Sequence, residues 1–195
     1  MSYNDIMIGE TFPNLSFQTF FVSKEISKCP LISEIVQVSK KFKTIDILKE
    51  IVDISVSLRY GKRVLINAKK IDFSEIKAED FLEIIDYDPF KKVLLVIGIK
   101  EPRIDTPNHW LIHHARNEVN AIIQIDDVKL VGQLEKKIPL TEIEYPIGTL
   151  EQTKEILRML RNSKKILIKN QSAIFVGNSM KDAEYLVLNA CEELK

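Results

Sequence analysis

The chain of 195 residues is 45% hydrophobic and 29% charged, enough for one domain with a sizeable buried core and too apolar for intrinsic disorder. Lysine plus arginine and aspartate plus glutamate number 28 each, a formal net charge of +0 that argues against a nucleic-acid binder and against an anionic membrane surface as partner. Two cysteines, Cys29 and Cys191, stand far apart with no short-spaced Cys/His pair, so both are expected as reduced thiols rather than ligands of a structural zinc. The start, MSYNDIMIGETFPN, has no cationic stretch leading into an apolar run, and no apolar run reaches the roughly 18 residues that span a bilayer. A cytoplasmic protein is expected.

Residues 1–30 read as a distinct aromatic-rich extension with Phe12, Phe17, Phe20 and Phe21, ending at Cys29-Pro30. Their rings suit core or subunit packing, with ligand binding as the alternative, and residues 16–22 have the aromatic and β-branched content of a strand. A helix is expected over 31–43 from the spacing of Leu31, Ile32, Ile35, Val36 and Val38, followed by a second helical segment over 44–51 with Thr44 as N-cap. Residues 53–58 and 63–67 read as a hairpin around Tyr60-Gly61-Lys62. One helical turn at 77–81 leads into a strand over 82–86, and 93–98 is a continuous apolar strand. A helix over 106–116 leads to a strand over 120–125. Residues 150–162 form an amphipathic helix, 165–169 and 173–177 are strands around Asn170-Gln171-Ser172, and 182–194 is the last helix. Strands interleaved with flanking helices predict a layered αβα domain over 31–195.

Several constellations invite chemistry. His109 and His113 lie four apart on one helical face, as metal ligands do, but no acid stands at the expected offset and a structural role is the plainer reading. Asp126-Asp127 with Asp105 is a candidate oxygen cage for Mg²⁺ or Ca²⁺, while aspartates at a strand end equally bond the backbone of a turn. Lys69, Lys70 and Arg103 are a candidate site for a small-molecule anion, or solvated charges. The sequence holds no nucleophile–base, dinucleotide or Walker arrangement.

Residues 31–195 resemble, in order, the class II aldolase/adducin family, whose members include fuculose-phosphate aldolase and ribulose-phosphate epimerase-like enzymes. Asp105-Thr106-Pro107-Asn108-His109 is similar to the family's Glu-x-Pro-x-His, and Val119-Asn120-Ala121-Ile122-Ile123 to its approach to a zinc-binding His-x-His. Tyr145-Pro146-Ile147-Gly148-Thr149 resembles its Pro-Pro-Gly segment, and Ile168-Lys169-Asn170-Gln171-Ser172 the turn that carries the third zinc ligand. The resemblance implies a three-layer αβα fold with a mixed, mostly antiparallel central sheet. It places Asp105 at the position of the catalytic acid and His109 in a helix-packing role.

On the same correspondence the zinc-ligand positions fall on Gln124, Asp126 and Gln171, oxygen donors that suit zinc poorly. Val52-Asp53 replaces the Gly-Asn loop, Asn67-Ala68-Lys69-Lys70 the phosphate-binding Thr-Pro-Ser-Gly loop, and Arg103-Ile104 a serine pair. The expectation is a family member without zinc or zinc-dependent aldolase activity, acting as a binding or interaction module. The alternative is a lyase or epimerase on a small sugar-phosphate-like substrate, using another metal or none, with Asp105 and Asp126 as acid and base. A homotetramer or homodimer is expected, with Phe12 to Phe21 covering an interface or the cleft. With the cation of the cleft lost, at least one of Lys69, Lys70 and Arg103 is expected to pair with Asp105, Asp126 or Asp127.

Overall fold

A computed structural model describes residues 9–10, 16–49, 51 and 53–194; Phe12 and Val52, named above, lie outside them. Strands β1 (Gly9–Glu10), β2 (Gln18–Ser23), β3 (Ile54–Tyr60), β4 (Arg63–Asn67) and β5 (Phe81–Asp88) are joined by β6 (Val93–Ile97), β7 (Ala121–Ile125), β8 (Lys165–Ile168) and β9 (Ser172–Gly177). They form one sheet in the order β1-β2-β6-β5-β4-β3-β7-β9-β8. All neighbours are antiparallel except β2 and β6, so the sheet is mixed and mostly antiparallel, as expected. The aromatic N-terminal segment thus contributes an integral strand, with Phe17 buried against Val64, Ile66, Leu94 and Trp110.

Among the described residues, five α-helices cover the two faces: α1 (Ile32–Phe42), α2 (Thr106–Ala115), α3 (Val128–Leu134), α4 (Leu150–Leu160) and α5 (Met180–Glu192). Ile35 and Phe42 of α1, Leu130 and Leu134 of α3, and Ala183 and Val187 of α5 pack with Val56, Ile123 and Phe175 on one face. On the other face, Ile112 of α2 and Ile156 and Leu160 of α4 pack on Ile122, Ile166 and Ile174. The central strands therefore bury both faces, which explains the unbroken burial of β7 and β9. The layers are αβα.

Two local expectations are corrected. Behind Thr44 there is only a 3-10 turn, Asp46–Leu48, entered from Ile45; the Thr44 hydroxyl bonds back to the Lys41 carbonyl at 2.7 Å and closes α1 instead of opening a helix. Helix α3 was not expected. It begins where Asp127 accepts a hydrogen bond from the Leu130 amide at 2.7 Å, an N-cap in a stretch too short to show a helical period.

Candidate functional site

Alternation along the central strands sets the stage. Ser55 pairs with Gln124, and Ser57 with Ile122, between β3 and β7. Gln124 pairs with Ile174, whose side chain meets Ile112 and Ile156, so these positions all face the layer of α2 and α4. Polar residues replace apolar ones where β7 and β3 pass beneath the start of α2. There they meet Arg103 and Asp105 in the loop leading into that helix.

Asp105 is the N-cap residue of α2, yet its carboxylate does not bond the helix amides. It is turned to Arg103 instead: Nε lies 3.0 Å from Oδ1 and Nη2 3.1 Å from Oδ2, while the Ser55 hydroxyl donates to Oδ2 at 2.5 Å. Arg103 Nη2 also reaches Asp126 Oδ2 at 2.9 Å, and Nη1 bonds Asp53. One guanidinium thus holds three carboxylates, one from each of the segments that lead into β3, α2 and out of β7. Its side chain is 5% exposed, against 1% for Asp105, 22% for Asp126 and 59% for Asp53, so the cluster grades from core to solvent. Gly148 fixes the loop from outside: its φ is +77°, and a Cβ there would collide with the Ile104 carbonyl.

Burial opposes each of these charges, and the contacts decide which survive. Burial works against the Arg103 cation, yet Asp105, Asp53 and Asp126 hold its pKa above the ordinary value. Burial would also raise Asp105, but the Arg103 charge, helped by the hydrogen bonds from Arg103 and the Ser55 hydroxyl, holds its carboxyl below the usual range. Asp126 goes the other way: burial, then the negative charge of Asp105, push it up to about 7 against the pull of Arg103. Adjacent carboxylates with oppositely displaced pKa values are the arrangement from which acid/base pairs are built.

Gln124 joins this group through Nε2, which donates to Asp126 Oδ1 at 2.8 Å. Gln171 is committed elsewhere. Its Nε2 donates to the Tyr145 carbonyl at 2.7 Å, and its Oε1 accepts from Gln152 Nε2 at 2.6 Å. Gln152 Oε1 in turn accepts from Asn108 Nδ2 at 2.6 Å and the Gly148 amide at 2.9 Å, and Thr153 donates to Asn108 Oδ1 at 2.6 Å. The three residues at the ligand positions are therefore divided between an ionic cluster and a neutral amide network.

The histidines pack helix against sheet. The Ser57 hydroxyl lies 2.8 Å from both His109 Nδ1 and His113 Nε2, and His113 Nδ1 lies 3.0 Å from the Val119 carbonyl. The carbonyl only accepts, so His113 Nδ1 carries the proton and its Nε2 accepts from Ser57. Ser57 then accepts from Nδ1–H of His109, whose Nε2 faces the Gln124 carboxamide. Burial keeps both rings neutral, with pKa values lowered to about 4 for His109 and about 3 for His113. His114 stacks on Trp110 with ring centroids 3.7 Å apart.

The remaining sequence candidates separate. Lys69 pairs with Glu101 at 3.0 Å, and Lys70 lines a different cleft with Lys43, Asp72 and Phe73. The structure therefore does not present Lys69, Lys70 and Arg103 as one anion site: Arg103 is committed to carboxylates. It does bear out the expected pairing, since Arg103 bonds both Asp105 and Asp126. Asp127 does not take part; its carboxylate caps α3. The Asp105, Asp126 and Asp127 cage is thus not formed, and among the described residues no group of three or more His, Cys, Asp or Glu is placed to hold a metal ion. Sequence reasoning missed Asp53 as a partner of Arg103, and Ser57, Asn108 and Gln152 as network members. Ser55 and Ser57 carried a signal: two hydroxyls in alternation on an otherwise buried strand.

Residues 34–194 match the family model of the Class II Aldolase and Adducin N-terminal domain, and the chain belongs to that family. Among solved structures it is similar to an L-fuculose 1-phosphate aldolase, with a TM-score of 0.70 at 16% identity over 86% of each chain. It is also similar to a sugar-phosphate aldolase from Thermotoga maritima, with a TM-score of 0.62 at 17% identity over 84% of this chain and 92% of the other. The N-terminal Class II Aldolase domain of a conserved Thermoplasma acidophilum protein gives 0.61 at 11% identity, over 87% and 94%. No curated protein matches the sequence. At these identities the structural likeness concerns the fold.

Proposed function

We propose that this chain is a binding or interaction module built on the class II aldolase frame, without zinc-dependent aldolase chemistry. One observation carries the reading: Arg103, almost fully buried, bonds Asp105 at the acid position and Asp126 at a ligand position. A fixed cation bonds one of the three positions that the family resemblance gives to a metal, and its charge offsets part of the negative charge around it. The donors fit zinc poorly as well. Gln124 and Gln171 are neutral amides, both carboxamide ends of Gln171 are engaged, and one Asp126 oxygen is bonded to each of Gln124 and Arg103.

Elemental analysis of protein purified without chelator tests this: well under one zinc per chain is expected, and near-stoichiometric zinc overturns it. The variant Gln124→His/Asp126→His/Gln171→His in an Arg103→Ser background is expected to gain zinc if the backbone frame is intact. A module of this kind is expected as a homotetramer or homodimer, and light scattering at micromolar concentration that reports a 22.5 kDa monomer refutes that part.

One observation favours a second reading. The displaced pKa values of Asp105 and Asp126 suit a metal-free lyase or epimerase, with protonated Asp126 as acid. Turnover of a sugar phosphate that is abolished by Asp126→Asn, in zinc-free protein, would select it.

A further inference from the structure

A separate cleft of about 290 Å³ opens at the far end of β3, between the segment 23–30 that leads into α1 and the Tyr60–Arg63 corner of the β3–β4 hairpin. It lies on the face opposite the Arg103 cluster. Leu65 pairs with Glu83 and Glu83 with Ile97, and Leu65 packs in the core beneath α1, so these three positions face the α1 layer. The floor of the cleft is charged. Glu83 is 5% exposed; its Oε2 accepts from the Ser27 hydroxyl at 2.7 Å and its Oε1 from Arg63 Nη1 at 2.6 Å. Ser27 is itself held, accepting from the Cys29 amide at 3.1 Å. Both carboxylate oxygens are therefore engaged.

Arg63 is the reverse case. Its side chain is 47% exposed against 6% for Glu83, and among the described residues only its Nη1 is hydrogen-bonded. A guanidinium carries five N–H donors, so most of its fork is open. A buried carboxylate thus anchors a cation from below and leaves its donors to the cleft, which is how a binding group is held in place before its ligand arrives. The walls are apolar and uncovered. Ile26 and Tyr60 are each 44% exposed, and Ile97 is only partly buried. Val22, 46% exposed, turns to the same side, because its neighbour Phe21 packs on the opposite face. Exposed apolar side chains gathered around a concavity with a few fixed polar groups mark a ligand site.

We propose that this cleft binds a small amphipathic carboxylate, its head on Arg63 and its apolar tail against Ile26, Tyr60 and Ile97. The head follows from what the lining has left to offer. Arg63 and Lys28 bring unused donors, whereas Glu83 has both oxygens engaged, so the ligand must accept. A guanidinium fork matches the two oxygens of a carboxylate. Glu25 and Glu83 line the same cleft and repel a dianion, which favours one negative charge over the two of a phosphate monoester. An ammonium head would face Arg63 and Lys28 and find Glu83 already taken. A metal ion has no ligand set, since among the described residues no three His, Cys, Asp or Glu side chains converge. The cleft shares no residue with the Arg103 cluster, so the assignment goes beyond the module reading and stands apart from it.

The probes are hexanoate, acetate, hexan-1-ol, hexylammonium and hexyl phosphate, titrated into the full chain while the amide NMR signals of Cys29, Tyr60, Arg63 and Ile97 are followed. Hexanoate is expected to give saturable shifts at about tenfold lower concentration than acetate or hexan-1-ol, with none from hexylammonium and weaker ones from hexyl phosphate. Arg63→Gln should weaken hexanoate by about tenfold or more and bring it level with hexan-1-ol. Because Arg63→Gln also leaves Glu83 without its cation, a second variant guards against a loss that is only structural. Ile26→Ser, at an exposed position, should weaken hexanoate by about fivefold and leave acetate unchanged. Hexan-1-ol binding as tightly as hexanoate, tighter binding of hexylammonium or hexyl phosphate, or an Ile26→Ser protein that binds hexanoate like wild type overturns the assignment. So does the absence of any saturable shift from hexanoate, which would leave the Arg63–Glu83 pair as a brace for the hairpin alone.

Discussion

The two halves of the cleft solve the same problem by different physics. On the β7 side, Gln124 and Asp126 sit in a charged cluster governed by Arg103. On the side of the β8–β9 turn, Gln171 sits in a chain of neutral carboxamides through Gln152 to Asn108 and Thr153. Both satisfy polar groups in the interior. The charged half depends on pH and on one cation, and an excess of negative charge remains. The neutral half saturates its donors and acceptors and has nothing to titrate. The difference makes the first half responsive to pH and leaves the second as rigid bracing.

The strongest way to break this contrast is to remove the cation. Arg103→Met keeps much of the side-chain volume but leaves Asp105, at 1% exposure, as a buried charge without its partner. Loss of one side of a buried pair costs about 3–5 kcal/mol. Protonation of Asp105 relieves part of that cost, so the loss measured by chemical denaturation should be larger at pH 8 than at pH 5. Arg103→Lys should recover only part, since a single ammonium cannot serve three carboxylates in fork geometry. A loss below about 1 kcal/mol for Arg103→Met would reduce the cluster to a surface-type ion pair.

The corresponding cut in the neutral half is Gln152→Ala. Gln152 is 2% exposed, and its removal strips partners from Asn108, the Gly148 amide and Gln171. The expected cost is about 1–3 kcal/mol from unsatisfied buried groups. It should be the same at pH 5 and pH 8. A pH-dependent cost would mean that the two halves are one network and that the contrast fails.

How much of this was legible in the sequence follows from how far apart the partners lie. The hairpin at Gly61, the strand over 93–97 and the helix opening at Thr106-Pro107 have local causes, namely turn chemistry, an apolar run and a proline in the first turn. Arg103 with Asp105 and Asp126 was foreseeable from charge arithmetic once the order of segments was recognised. Asp53, some 50 residues from Arg103, reads locally as a solvated loop acid, and only the pairing of β3 with β7 brings it in. Gln152 reads as an ordinary polar residue on the first turn of α4, because its partners come from α2, the loop at Tyr145 and the β8–β9 turn. The residues that escaped are those whose role is set by long-range contacts that no periodicity encodes.

The finest test of the charged half is its pH signature. Asp126 has a folded pKa raised from 3.8 to about 7, so the folded state holds a proton that the unfolded chain has released. Its stabilising contribution is complete below pH 3.8 and is lost as pH rises through about 7. His109 and His113 act oppositely over much of the same window. Their pKa values are lowered from 6.5 to about 4 and about 3, so the unfolded chain takes up protons first and stability is lost as pH falls below 6.5. In the wild type these slopes partly cancel. Asp126→Asn keeps an acceptor oxygen for Arg103 and removes only the Asp126 slope. Its stability relative to wild type should therefore rise between about pH 4 and pH 7 and then level off, with a total change above about 1 kcal/mol. The variant's own profile should show a steeper fall on the acid side, because the histidines then act unopposed. Parallel wild-type and variant curves from urea denaturation across that range would mean that Asp126 is ionised throughout, with Arg103 compensating it fully.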